Sequence, residues 1–91
     1  TDVGGTETYY YNKESRPLAL ILHESILEGI KRKDRGLRRA MYYAVHHTTM
    51  PAVLIEPVYI SNDDESNLAC SPDWQYQLAS SVVRGIKRYF R

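Results

Sequence analysis

Cysteine, tryptophan and phenylalanine occur once each in this 91-residue chain, and proline only four times. The single Cys70 excludes an internal disulfide and any metal site built from several cysteines. No apolar run approaches the roughly 18 residues that cross a membrane, so no membrane span is expected. Charge of one sign is also missing: twelve basic residues face eleven acidic ones, a net +1 with His neutral. That balance argues against whole-molecule steering toward phosphate, so nucleic acid is not an expected partner. Hydrophobic content of 43% with 25% charged residues is ordinary for a folded soluble domain, and the length allows only one small one. No repeat, low-complexity tract or linker divides the chain.

What is present reads as alternating strands and helices. Residues 1–5 form a loop, and the tyrosine-rich stretch Glu7–Asn12 predicts a strand. Ser15 is the expected N-cap of a first helix, with Pro17 in its first turn. Leu18, Leu22, Ile26 and Ile30 recur every four residues, widened by Ile21 and Leu27, as on a helix packed against a sheet. Lys31–Lys33 suit that helix's C-terminus. Gly36 breaks the pattern, and Met41–His46 predicts a second strand. Asn62 is the expected cap of a short helix, with Glu65 as its capping-box partner. Ser71-Pro72 opens a last helix whose buried stripe is expected to be Trp74, Leu78, Val82, Ile86 and Phe90, thickened by Ala79 and Val83. The expected class is α/β: a mixed sheet flanked by helices, with about three strands, two main helices and one short helix.

The most informative stretch is Met50 to Asn62. Ala52–Ile55 is an unbroken apolar run between two prolines, which predicts a short strand buried on both faces. Glu56 ends it, so a rigid element aims a carboxylate at the strand mouth. The plain alternative is a strand-end glutamate facing water.

The run Met50-Pro51-Ala52-Val53-Leu54-Ile55-Glu56-Pro57-Val58-Tyr59-Ile60-Ser61-Asn62 resembles the C-terminal signature of the zinc-dependent N-acetylmuramoyl-L-alanine amidases. Four further blocks follow the family's order. Gly5-Thr6-Glu7-Thr8-Tyr9-Tyr10-Tyr11 is similar to the strand after the family's last zinc histidine. Ser15–Ile30 matches the next helix, Asp34-Arg35-Gly36 the loop after it, and Gln77-Leu78-Ala79 with Gly85–Phe90 the terminal helix. Pro57-Val58 departs from the small or hydroxyl residues common there, which bears on local pocket shape.

The resemblance implies a peptidoglycan hydrolase that cleaves the amide between N-acetylmuramic acid and L-alanine, working outside the cytoplasm in cell wall or periplasm. Such chemistry needs a metal to polarise the carbonyl and lower the pKa of a water. It also needs a carboxylate to move that water's proton to the leaving amine, the role the resemblance assigns to Glu56. The family's zinc is held by His, Glu and His from the N-terminal half, and no such segment occurs here. Residues 1–91 therefore resemble the C-terminal part of one amidase domain. The expected partners are peptidoglycan and the complementary N-terminal half, with Zn2+ held by that half and this chain inactive alone. The rival expectation is a non-catalytic amidase-fold fragment serving as a wall-binding or regulatory module.

Other features invite function less strongly. His46 and His47 are strand neighbours pointing to opposite faces, which disfavours joint chelation. His23 sits within the first helix as a structural residue. The six basic residues in Lys31–Arg39 read as a solvated helix end and loop, with anionic wall polymer as the functional alternative. The Tyr9–Tyr11 run reads as sheet packing rather than sugar stacking. Cys70 has no neighbouring base to make it a nucleophile.

Overall fold

Threonine and tyrosine favour a pleated, half-buried surface, and Thr6–Tyr10 forms strand β1. The computed structural model describes residues 3–41 and 49–91. After β1, Asn12 caps a 3-10 turn, Lys13–Ser15, by accepting from the Ser15 backbone N–H at 3.0 Å. Helix α1 follows over Arg16–Ile30. Ser15 lies inside the turn in helical conformation and makes no capping bond, so Asn12 takes the role expected of it. The Ser15 hydroxyl instead donates to Asn12 Oδ1 and accepts from the Ala52 N–H at 2.9 Å, tying the approach to the third strand onto the start of α1.

Lys31 turns left-handed, with φ 55°, and ends α1. The chain then enters strand β2, Asp34–Arg39, parallel to β1. A loop was expected here and the second strand at Met41–His46. Asp-Arg-Gly-Leu-Arg-Arg carries no apolar alternation, so backbone pairing along the side of β1, not side-chain burial, makes it a strand. Met41 lies outside any strand, and Tyr42–His46 lie outside the described residues. Strand β3, Leu54–Glu56, pairs antiparallel on the other side of β1, giving the order β2-β1-β3. All of β3 is half-buried rather than buried on both faces, because among the described residues it has one neighbouring strand.

Asn62 caps helix α2, Asp63–Ala69, and Ser71 caps helix α3, Pro72–Tyr89, both as expected. Helix α1 lies between sheet and α3. It buries Ala19, Leu22, Ile26 and Ile30, the core of the described residues. Full burial of Ile26 alone is worth about 1.5–3 kcal/mol. The α3 stripe differs from expectation. Its buried positions are Ser81 and Gly85, whereas Val83, Ile86 and Phe90 are exposed. Close helix approach explains this. Ser25 Oγ donates to the Ser81 carbonyl at 2.7 Å, and a Cβ on Gly85 would meet Leu22 Cδ2 at 2.8 Å. Small residues take the contact line and larger apolar ones straddle it. The architecture is α/β, a three-stranded mixed sheet with three helices, as the sequence implies. No helix among the described residues is long and apolar enough to cross a membrane.

Candidate active site at the end of the third strand

Alternation along β1 divides the site into two faces. Thr8 points toward α1, where its hydroxyl meets His23 Nδ1 at 2.8 Å, and His23 Nε2 meets Asp34 Oδ1 at 2.7 Å. A carboxylate only accepts, so Nε2 carries the hydrogen and, in the neutral ring, Nδ1 accepts from Thr8. His23 is thus a buried pin joining α1, β1 and β2. The hydrogen bond from His23 is the main cause holding the Asp34 carboxyl below the usual carboxylate range; desolvation opposes it, and the Gly36 N–H at 2.7 Å adds a smaller lowering.

The other face is charged. Glu7, 3% exposed, receives the Tyr9 hydroxyl at 3.0 Å and the Tyr59 hydroxyl, and pairs with Arg38 and, at 3.6 Å, with Arg35. Two residues three apart on a regular strand face opposite ways. Here Thr6 pairs with Asp34 but Thr8 with Leu37, so β2 carries one extra residue. Gly36, with φ +86°, lies in that bulge, and both arginines reach Glu7. The basic run therefore is not merely a solvated loop: Arg32, Arg35, Arg38 and Arg39 all have specific partners.

Glu56 lies directly opposite Glu7 in the antiparallel register, and opposed residues share a face. It is half-buried, and no hydrogen bond or ion pair reaches its carboxylate among the described residues. The strand exit behind it is fixed. Thr6 Oγ1 donates to the Pro57 carbonyl at 2.8 Å, and the Tyr59 N–H donates to Glu65 at 2.7 Å.

Glu65 is fully buried and does not complete the expected capping box. Its N–H donates to Asn62 Oδ1 at 3.1 Å, but its carboxylate turns away to accept from Gly5 N–H at 2.9 Å, Tyr59 N–H and Arg32 Nε at 2.7 Å. It joins the entry of β1, the exit of β3 and the link after α1. Sequence reading missed this role, and it missed Glu7 with Arg35 and Arg38. The available signal for Glu7 was a carboxylate inside a strand otherwise made of threonine and tyrosine.

Among the described residues, no three His, Cys, Asp or Glu side chains converge as metal ligands. His23 is engaged as above, Cys70 is an exposed thiol, and His46 and His47 lie outside the described residues. The residues described here do not by themselves fit a zinc site.

A family profile described as N-acetylmuramoyl-L-alanine amidase matches residues 1–88. The chain belongs to this amidase family. Among amidase relatives, the germination-specific N-acetylmuramoyl-L-alanine amidase of Bacillus subtilis is 32% identical over 89 residues, covering 94% of this chain and 38% of its own length. The catalytic domain of CwlV, an N-acetylmuramoyl-L-alanine amidase from Bacillus (Paenibacillus) polymyxa var. colistinus, superposes with a TM-score of 0.93 at 35% identity, covering 97% of this chain and 49% of that one. The CwlD amidase of Clostridioides difficile, solved in complex with the GerS lipoprotein, gives 0.90 at 25% identity, with 97% and 47% covered. The chain thus spans about half the length of the amidase structures it matches.

Proposed function

We propose that this chain forms the C-terminal half of a peptidoglycan amidase that cleaves the bond between N-acetylmuramic acid and L-alanine, with Glu56 as general acid and base. Family membership supports the substrate class. One observation carries the role of Glu56: on the charged sheet face its carboxylate has no partner among the described residues, while its cross-strand neighbour Glu7 pairs with two arginines. A general base needs a free lone pair at a fixed place. The anchors at Pro57 and Tyr59 limit where Glu56 can move, so its carboxylate can take a proton from an attacking water and return it to the leaving amine.

The reading includes zinc, with ligands supplied by residues other than those described here, from the complementary half of the domain. The metal's contribution is Lewis-acid polarisation of the scissile carbonyl. Action in cell wall or periplasm follows from the substrate.

The test is Glu56→Gln in an amidase domain completed by that other half. Turnover of purified peptidoglycan is expected to fall by about two to four orders of magnitude, with metal content unchanged. Near-full activity in the variant would remove Glu56 from the mechanism. Absence of turnover in the unaltered, metal-loaded domain would favour the alternative, a non-catalytic module that binds wall or a partner.

A further inference from the structure

We propose that the cleft beside Arg35 is a subsite for a carboxylate on the substrate's stem peptide; this rests on the function proposed above. The cleft, about 220 Å3, is lined in part by Gly4, Gly5, Arg32, Lys33, Arg35 and Glu65. Three cations meet one carboxylate there. Glu65 is fully buried and neutralises Arg32; the carboxylate that pairs with Arg35, Glu7, is not among the cleft's lining residues, so Lys33 and Arg35 have no second carboxylate within the lining.

Arg35 is the decisive group. Its side chain is 26% exposed, and its Nε is buried with no hydrogen-bond acceptor among the described residues. The nearest carboxylate oxygen, on Glu7, is 3.6 Å away and beyond hydrogen-bond reach. Glu7 is already held by Arg38, Tyr9 and Tyr59. The guanidinium lies over the Tyr59 ring, 5.3 Å from its centre, which restrains its orientation. The exposed edge of a restrained planar guanidinium fits a carboxylate, which accepts two parallel N–H bonds.

Position links this subsite to Glu56. The sheet order β2-β1-β3 places Arg35 and Glu56 on the two strands flanking Glu7. Two strand spacings are about 9.6 Å, and an extended peptide advances about 3.3 Å per residue. A stem peptide running from the scissile amide over β1 thus brings a carboxylate to Arg35 within about three residues.

The experiment uses the completed amidase domain carrying Glu56→Gln and two synthetic muropeptides, one with the free stem carboxylate and one with its carboxamide. Calorimetry should show the free acid binding about tenfold more tightly, the strength of one hydrogen-bonded charge pair. Arg35→Gln should erase the difference. If that variant folds poorly, Lys33→Gln at an exposed position should still narrow it. Equal affinity for the two ligands with Arg35 intact would overturn the subsite. Turnover of either muropeptide with Glu56 intact is read separately, so a failed amidase assignment would not be confused with a failed subsite.

Discussion

The end of β3 and the first turn of α2 each present a glutamate, and their surroundings are opposite. Glu65 is fully buried and receives the Gly5 and Tyr59 amides and a guanidinium. Glu56 is half-buried with no partner among the described residues. Residue type is the same, so the difference comes from where backbone donors and arginines converge. A carboxylate ringed by donors holds segments together, and one left open beside them is available for chemistry. Glu7 and Asp34 fall between these extremes, and the series can be tested in order.

The largest stability effect should come from Glu65→Gln, which sets an amide N–H against donors and leaves Arg32 unpaired. A loss of about 3 kcal/mol is expected in denaturant unfolding, near the lower end for breaking a buried pair because Arg32 remains partly exposed. If Glu56→Gln cost as much, the contrast between the two regions would collapse. Glu7→Gln should be intermediate, about 2 kcal/mol by the same measurement, since one tyrosine hydroxyl can still donate to the amide oxygen and the other can accept from the amide N–H.

The smallest effect belongs to Asp34, whose side chain is 61% exposed. Its folded pKa is depressed, chiefly by the hydrogen bond from His23. Its contribution is therefore present above the unfolded value of about 3.9 and is lost as pH falls through the lower folded value. Unfolding free energy measured from pH 5 downward should decline less steeply in Asp34→Asn than in the parent. An unchanged slope would show that this pair adds nothing to stability.

Much of the frame was legible in local pattern. The four-residue recurrence in α1, the caps Asn62 and Ser71, and the apolar run into Glu56 all depend on near neighbours, so periodicity and capping chemistry suffice to find them. Three features were not legible. Strand β2 has no apolar alternation and exists because β1 offers it a backbone edge. The buried line of α3 runs through Ser81 and Gly85, because the closeness of α1, not hydrophobicity, chose it. The partners of Glu65 and Glu7 come from segments distant in the chain, so no local motif announces them.

The sequence by itself determined the α/β class, the family signature and the carboxylate at the strand end, because each is written in contiguous residues. Only the tertiary structure decided which carboxylates are held and which has no partner among the described residues. That outcome depends on a β2 bulge at Gly36 that turns two arginines toward Glu7, and on backbone amides gathered from separate segments around Glu65. Hydrogen bonding and charge pairing act over a few ångströms in space, whatever the separation along the chain.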